Sequence, residues 1–252
     1  MKRLEVLFTP AEFEALKQRE LRETVCVVFD VLRATSSMVT ALANGAAGII
    51  PVQEIAEALE LQRRQPRVLL AGERDGVRIT EEPTGTGAFD LGNSPREFTS
   101  EAVKGKTVVM TTTNGTRALR ACAAARMVLA GSFLNLTATA ELVRHERAAN
   151  VLVICSGTFE EAAYEDVLAA GALCDLLWEP DLAKEAADSA LMVRRLYQLE
   201  QANLASAIAQ SRNARRLLSR PELCDDVAFC LQRDRFLLIA ELCKDGIVKV
   251  KK

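Results

Sequence analysis

Six short runs of Val, Ile and Leu, separated by Ala-rich polar stretches, dictate the fold class of this sequence. The runs are Thr24 to Phe29, Ala47 to Val52, Arg67 to Ala71, Thr107 to Met110, Met127 to Ala130 and Asn150 to Ile154. Each run is too short to cross a membrane, and its nearly continuous apolar character is typical of a strand buried on both faces. The runs therefore predict a sheet of mostly parallel strands.

The stretches between these runs have helical character. They are Ser36 to Asn44, Glu54 to Arg64, Thr116 to Ala125 and Thr137 to Arg147. A chain that alternates strand, helix and strand folds as a sheet with helices packed on its two faces. The sequence therefore predicts an α/β fold.

A weak internal repeat indicates two similar halves. VCVVFDVLRATSSMVTALANGAAGIIPV aligns with VVMTTTNGTRALRACAAARMVLAGSF, although any two strand-helix-strand units resemble each other to this extent. We predict one compact unit with a first α/β half at residues 1–104, a second at 105–178 and a helical C-terminal segment at 179–252. In that segment Leu191, Met192, Leu196 and Leu199 recur at helical spacing, so we expect the segment to pack on the sheet layer. We predict a closing hairpin over Phe236 to Val250, with Gly246 at its turn.

Composition restricts the partners and the compartment. The 252 residues include 32 Lys and Arg against 34 Asp and Glu, a formal charge of −2 that lacks the basic excess of a nucleic-acid or anionic-membrane binder. A small-molecule partner is therefore expected.

The seven cysteines are odd in number and contain no CxxC pair, which fits neither a disulfide framework nor a zinc site. They favour a reducing, cytoplasmic location.

Polar residues directly follow four of the predicted strands. These groups are Asp30 to Thr35, Gly72 to Arg74, Thr111 to Arg117 and Cys155 to Gly157. Ligands of open α/β sheets bind beyond the carboxyl ends of the strands, so we expect the four groups to converge on one crevice. A carboxylate, arginines and hydroxyl groups in such a place suit phosphoryl chemistry. Taken singly, the acids and threonines also suit helix capping, and the arginines suit surface ion pairs.

Several phosphoryl-transfer signatures are absent from the sequence. Gly105-Lys106-Thr107 precedes a strand, whereas a P-loop follows one. Asp30 follows an apolar strand, as the aspartyl nucleophile of haloacid-dehalogenase phosphatases does. Those enzymes carry a second acid two residues later, where this sequence has Leu32, so that family is kept only as an alternative. Cys155 follows a strand but lacks the arginine that tyrosine phosphatases carry six residues after their catalytic cysteine. The lone His145 lies in a charged helical stretch, which favours a surface position over a catalytic role. The remaining route is an oxygen-ligated Mg²⁺, for which the available acids are Asp30, Glu73, Asp90, Glu165 and Asp166.

An ordered series of motifs resembles the 2-phosphosulfolactate phosphatase family. The segments are FDVLRATSSMVTALANGA, GER, FDLGNSP, TTTNGTRAL, GSFLN, ICSG and YEDVLAAGA, and SRNARRL and DDVAFCLQRDRF are similar to the C-terminal part of that family. The resemblance runs from about Glu5 to Phe236. The stretch DGVRITEEPTGTGA, within the loop at 75–89, is longer than the family pattern and contains Pro83, Gly85 and Gly87, which predict flexibility.

The resemblance implies a three-layer α/β/α architecture and a defined reaction. That reaction is the Mg²⁺-dependent hydrolysis of 2-phospho-3-sulfolactate to 3-sulfolactate and phosphate, a step towards coenzyme M. The substrate carries about four negative charges near neutral pH, so arginines and a cation are expected to surround it. The alternatives left open are a phosphatase of another small 2-phospho hydroxy acid and a non-catalytic anion-binding module.

The site hypothesis assigns a role to each candidate residue. Asp30, Glu73 and Asp166 are assigned to Mg²⁺, and Asp30 is favoured as the group that orients or deprotonates water. The predicted catalytic residues are Asp30, Arg33, Glu73, Asn114, Arg117 and Asp166. The predicted substrate-binding residues are Arg74, Asn93, Ser94, Thr112, Thr113, Thr116 and Ser156. The apolar, Ala-rich helices leave room for a homodimer interface.

Overall fold

A single sheet of ten described strands organises the protein, seen here in a computed structural model that describes residues 3–81, 85, 87–146, 148–180 and 185–251. The strands are β1 Arg3–Leu7, β2 Thr24–Phe29, β3 Gly48–Val52, β4 Leu69–Arg74, β5 Val77–Arg78, β6 Thr107–Thr111, β7 Met127–Gly131, β8 Asn150–Cys155, β9 Ala240–Leu242 and β10 Val248–Val250. All six apolar runs of the sequence are strands. Burial on both faces gives them the continuous apolar character from which they were predicted.

The strand order is β1-β8-β2-β7-β9-β10-β3-β6-β4-β5. Strands β1, β8, β2 and β7 pair in parallel, as do β3, β6 and β4. The predicted C-terminal hairpin is confirmed as β9 and β10, and it joins the two parallel groups by pairing antiparallel with β7 and β3. The predicted α/β class with a mostly parallel sheet is therefore confirmed.

Helices cover both faces of the sheet. They are α1 Pro10–Glu14, α2 Ala34–Ala43, α3 Ile55–Arg64, α4 Ser100–Val103, α5 Gly115–Ala121, α6 Leu136–His145, α7 Tyr164–Leu177, α8 Asp188–Glu200, α9 Leu204–Ala209, α10 Arg212–Leu218 and α11 Cys224–Cys230. Val27 and Phe29 of β2 join the core formed with α6, α7 and α8, whereas Cys26 and Val28 join the core formed with α1, α2 and α5. This alternation produces the three layers.

The sequence halves contribute strands to both parallel groups. Strand β2, from the first predicted half, lies between β7 and β8 of the second, and β6 of the second lies between β3 and β4 of the first. The boundaries proposed at residues 104 and 178 stay a prediction.

Among the described residues, no helix has both the length and the apolar content that a membrane crossing requires.

Helix α8 of the C-terminal segment packs on α7 and β1, but not through most of the apolar positions singled out in the sequence. Three of these four positions are largely exposed, namely Leu191 at 41%, Met192 at 63% and Leu199 at 79%. The face that packs on α7 instead carries Val193 and Tyr197. The cause lies on α7, because Gly171 has no side chain and a Cβ there would lie 2.3 Å from the carbonyl oxygen of Val193. This close approach fixes which side of α8 is buried.

A tight hairpin follows β4 at the edge of the sheet. Asp75 and Gly76 connect β4 to β5 with φ angles of 54° and 76°, the positive values that a two-residue hairpin turn requires. The predicted loop at 75–89 begins with this turn and β5, and its Pro83 lies outside the described residues. The turn brings the Gly76 backbone next to the carboxyl ends of β2 and β4.

Candidate active site

The carboxyl ends of β2, β4, β6 and β8 converge on one pocket, as the sequence predicts. The pocket is a small cleft that opens to solvent. Six of the predicted site residues line it: Asp30, Arg33, Glu73, Asn93, Thr113 and Asn114. Gly157 and Thr158 after β8 complete the strand-end wall.

Asp30 presents one carboxylate oxygen to this pocket. Its Oδ1 accepts a hydrogen bond from the backbone N–H of Ala34 at 3.0 Å, at the start of α2. Its own N–H donates to Oγ1 of Thr35 at 3.0 Å, which fixes the turn after β2. Among the described residues, no group donates a hydrogen bond to Asp30 Oδ2. This oxygen is therefore free to bind a cation or a water molecule.

The surroundings of Asp30 favour its neutral form. Burial is the largest cause, and the negative charges of Glu73 and Glu165 act in the same direction, so the pKa of Asp30 rises to about 7. The hydrogen bond from Ala34 and the charge of Arg33 lower the pKa, but by less. A carboxyl group with a pKa near 7 is suited to exchanging protons at neutral pH.

Glu73 links two of the loops around the pocket. It is 6% exposed, and its Oε1 accepts hydrogen bonds from the backbone N–H and the Oγ1 of Thr113 at 2.9 and 3.0 Å. Its Oε2 accepts from the N–H of Gly76 at 2.7 Å. These three hydrogen bonds hold Thr113 and the β4–β5 turn against the end of β4.

Arg33 is held in the pocket wall by a buried ion pair. Its Nη1 donates to Oδ2 of Asp226 at 2.6 Å, and its Nη2 donates to the carbonyl oxygen of Gly76 at 2.8 Å. Asp226, on α11, is fully buried, and its Oδ1 accepts from Oγ of Ser94 at 2.6 Å and from Nε of Arg96 at 2.8 Å. Asp226 thus orders Arg33 and the predicted residue Ser94 together.

Two further pocket residues, Asn213 and Arg216, come from α10 in the C-terminal segment. Arg216 donates from Nη2 to Oδ1 of Asn213 at 3.3 Å. Asn213 donates from Nδ2 to Oε1 of Glu165 at 2.6 Å and to Oγ1 of Thr158 at 2.5 Å. The residue-level site hypothesis missed both residues, although they belong to the SRNARRL stretch that carried part of the family resemblance.

Asp166 lies behind the pocket. Its side chain is 2% exposed, and its two oxygens accept hydrogen bonds from the N–H groups of Val31 at 2.8 Å and Gly157 at 3.2 Å. Burial, followed by the charge of Asp30, raises the pKa of Asp166 well above its usual range. The contacts favour a role in joining the loops after β2 and β8, and the assignment of Asp166 to Mg²⁺ stays a prediction.

Comparison with known proteins identifies the family of the chain. The family described as 2-phosphosulpholactate phosphatase matches residues 11–245. The chain belongs to this family. Its relatives include proteins named "Probable 2-phosphosulfolactate phosphatase" from Caldanaerobacter subterraneus subsp. tengcongensis, 39% identical over 96% of this chain and 97% of that protein, and from Pseudothermotoga lettingae, 39% identical over 98% of both. The relative of the same name from Caldicellulosiruptor saccharolyticus is 38% identical over 90% of this chain and 93% of that protein.

Membership of the 2-phosphosulpholactate phosphatase family supports a phosphatase, a hydrolase that acts on phosphoesters. Two rival catalytic groups are disfavoured by their places in the fold. Burial raises the pKa of the fully buried Cys155 thiol well above its usual range, so the thiolate nucleophile is disfavoured. His145 is exposed in the last turn of α6 and does not line the pocket.

Two of the predicted arginines, Arg74 and Arg117, do not line the pocket. Arg74 donates from Nη2 to Oγ1 of Thr111 at 3.0 Å, outside the pocket. Arg117 pairs with the carboxylates of Glu14 and Glu160 and reaches Oδ1 of Asn114 at 3.4 Å. Both arginines follow strands, but neighbouring carboxylates and carbonyl groups bind their guanidinium groups.

Three predicted hydroxyl residues have local hydrogen bonds or a buried position. Thr112 and Thr116 bond to each other across the start of α5, where the Thr116 N–H donates to Oγ1 of Thr112 at 3.3 Å. This is the capping role that their residue types favour. The Oγ of Ser156 is buried without a described partner, and its N–H donates to the carbonyl oxygen of Phe29 at 2.8 Å. Substrate binding by these three residues stays a prediction.

The acids of the pocket fit Mg²⁺ as a two-carboxylate site. Within the described part of the chain, no three His, Cys, Asp or Glu side chains group closely enough to hold a metal ion by themselves. Mg²⁺ is commonly bound by one or two carboxylates, with water and substrate phosphate supplying its other ligands. Asp30, whose Oδ2 accepts no hydrogen bond from a described residue, and Glu73, at the end of β4, both line the pocket and are the candidate ligands of this kind.

Proposed function

We propose that the protein hydrolyses 2-phospho-3-sulfolactate to 3-sulfolactate and phosphate in a Mg²⁺-dependent reaction. The observation that carries the proposal is the open Oδ2 of Asp30, which faces a pocket shared with Glu73 and with the guanidinium groups of Arg33 and Arg216. A carboxylate pair beside cationic groups suits a metal-assisted reaction of an anion. Membership of the 2-phosphosulpholactate phosphatase family supports the substrate.

In this proposal, Asp30 and Glu73 would hold Mg²⁺, which when bound neutralises and polarises the phosphoryl group. Asp30, the favoured base, would orient the attacking water and accept its proton. The water oxygen forms a bond to phosphorus as the bond to the ester oxygen breaks, and the released alkoxide takes up that proton to give the hydroxyl group of 3-sulfolactate. Thr113 and Asn114, which follow β6, line the pocket and would donate hydrogen bonds to phosphoryl oxygens in place of their present acceptors, Glu73 and the carbonyl oxygen of Phe159.

The charge of the pocket supports this substrate class. The substrate carries phosphate, carboxylate and sulfonate groups, about four negative charges near neutral pH. Arg33 and Arg216 line the pocket together with the amides of Asn93, Asn114 and Asn213. Arg216 and a bound cation would offset part of the substrate charge, whereas the charge of Arg33 is already paired with Asp226.

The same proposal includes a step towards coenzyme M and a cytoplasmic location. The seven cysteines are all free, which is the state expected in a reducing compartment. The partner is a small anionic phosphoester, and a homodimer stays a prediction from the Ala-rich helices.

Phosphate release from racemic 2-phospho-3-sulfolactate by the purified protein tests the proposal. The assay is run with Mg²⁺ and with EDTA, and 2-phospholactate and phosphoglycolate serve as control substrates. Release from the sulfonated substrate that requires Mg²⁺ is the expected result. Release from the controls alone would assign another 2-phospho hydroxy acid as substrate, and a folded protein that binds these anions without releasing phosphate would be an anion-binding module.

A further inference from the structure

Arg216 carries a buried hydrogen-bond donor that the protein itself does not satisfy. Its Nε is buried and has no partner within the described part of the chain, although Arg216 lines the pocket. An N–H group of a charged guanidinium that is removed from water without an acceptor is costly. The position of this donor in the pocket wall indicates that its acceptor arrives with a ligand.

The side chain of Arg216 is held in place from two sides. Its Nη2 donates to Asn213, which in turn donates to the buried carboxylate of Glu165. The guanidinium also lies against Gly76, where a Cβ atom would be 3.4 Å from Nε and 3.5 Å from both Cζ and Nη2. The group is therefore ordered before a ligand binds, which reduces the entropy lost on binding.

The open donors of Arg216 suit an oxyanion. In a planar guanidinium, Nε–H and one N–H of Nη2 point in the same direction, and two oxygens of one anionic group can bridge them. Asn213 accepts one hydrogen bond from Nη2, and no other hydrogen bond of the Arg216 guanidinium is found within the described part of the chain. A guanidinium stays charged at all physiological pH values, so it suits a permanently ionised partner.

We propose that Arg216 binds a non-reacting oxyanion of the substrate, the sulfonate or the carboxylate, and so determines which phosphoesters the enzyme accepts. The inference rests on the proposed function. The groups suited to the phosphoryl end, Asp30, Thr113 and Asn114, follow strands β2 and β6, whereas Arg216 is supplied by α10 over the β4–β5 turn. The two ends of the substrate are thus recognised by different elements of the fold.

Steady-state kinetics of Arg216→Met and Arg216→Lys test this assignment. For Arg216→Met we expect KM for 2-phospho-3-sulfolactate to rise about 10- to 100-fold while kcat changes by less than about threefold, because the lost contact exists in both the ground state and the transition state. Arg216→Lys is expected to recover only part of the affinity, since an ammonium group lacks the planar fork. Arg215→Met is the matched control, because Arg215 is exposed on the same helix.

Calorimetric binding of 3-sulfolactate, lactate and inorganic phosphate separates this inference from the proposed function, because no turnover is required. Arg216→Met is expected to bind 3-sulfolactate at least about tenfold more weakly and to bind phosphate as wild type does. A matching loss for lactate would identify the carboxylate as the anion, and no loss for lactate would identify the sulfonate. Unchanged 3-sulfolactate affinity, or a loss confined to phosphate, would overturn the assignment. Unaltered melting temperatures and circular dichroism confirm that the variants are folded.

Discussion

Gly115 lies so close to Asp30 that a Cβ atom at Gly115 would be only 2.5 Å from Oδ2 of the Asp30 carboxylate. The same Cβ atom would lie 2.7 Å from Cβ of Ala34, so it has no direction in which to move away. Gly115 begins α5, immediately after the Asn114 that lines the pocket. The glycine therefore makes space for the carboxylate that carries the proposed chemistry.

Gly115→Ala is expected to lower kcat by about 10²-fold or more, because Asp30 Oδ2 must leave its position and a misplaced catalytic group is costly in rate. The substitution improves helix propensity by about 1 kcal/mol, which offsets part of the packing strain. Activity should therefore fall by much more than stability. Initial rates and urea unfolding of the same preparation measure the two effects, and a variant that keeps wild-type kcat would contradict the arrangement.

The raised pKa of Asp30 predicts a pH dependence of stability in the metal-free protein. The ordinary pKa of this group is 3.8, and in the fold it is about 7, so the folded state binds more protons between these values. Stability consequently falls as pH rises from about 4 to about 7. Melting temperatures in EDTA across this range should show the fall in wild type.

Asp30→Asn removes the titrating group and should flatten this part of the stability profile. The variant is expected to melt above wild type at pH 8 and to lie close to it near pH 4, because the amide mimics the neutral carboxyl group. It should also lose about 10²-fold or more of kcat, since it can neither accept a proton nor hold the cation. Parallel profiles for the two proteins would argue against a raised pKa.

Removal of Asp226 should destabilise the protein strongly. Asp226→Ala leaves the buried Arg33 without its ionic partner, and loss of one member of a buried pair costs about 3–5 kcal/mol. Asp225→Ala is the matched control, because the neighbouring Asp225 side chain is 71% exposed and pairs with Arg96 at the surface. That control should change the free energy of unfolding by less than about 1 kcal/mol. Urea unfolding of both variants gives the comparison, and equal losses would refute the role assigned to Asp226.

Asp166→Asn distinguishes a loop-positioning role from metal binding. An amide can accept only one of the hydrogen bonds from Val31 and Gly157, and its NH₂ group would face the other N–H, so a loss of about 1–3 kcal/mol in stability is expected. Mg²⁺ affinity, measured by calorimetry, should change much less than in Asp30→Asn. A loss of Mg²⁺ affinity equal to that of Asp30→Asn would instead support Asp166 as a ligand.

Cys155→Ser should retain most of the wild-type kcat. The thiol is fully buried and its pKa lies well above its usual range, so almost no thiolate exists near neutral pH. A hydroxyl group is nearly as small, which limits the packing change. Phosphate release by the folded variant is the measurement, and complete loss of release would revive the thiolate mechanism.

The C-terminal part of the site could not be derived from the sequence residue by residue. Asp226 lies 193 positions from the Arg33 it binds, and Asn213 lies 48 positions from Glu165. No local pattern distinguishes Arg216, with its unsatisfied Nε, from the exposed Arg215 beside it, because helical sequence alone does not fix which side faces a pocket. Arg117 shows the reverse case, since it follows a strand as predicted but pairs with Glu14 on α1.

The sequence by itself determined the strands, the α/β class and the edge of the sheet at which Asp30, Glu73 and Thr113 meet. A strand that is buried on both faces requires a continuous run of apolar residues, which can be recognised in the sequence. Parallel strands bring the residues that follow them to one edge of the sheet. Only the tertiary structure decided which charged side chains enter the pocket and which face of α8 is buried. These outcomes depend on contacts between distant segments, such as Arg33 with Asp226 and Gly171 with Val193, which leave no periodic signal along the chain.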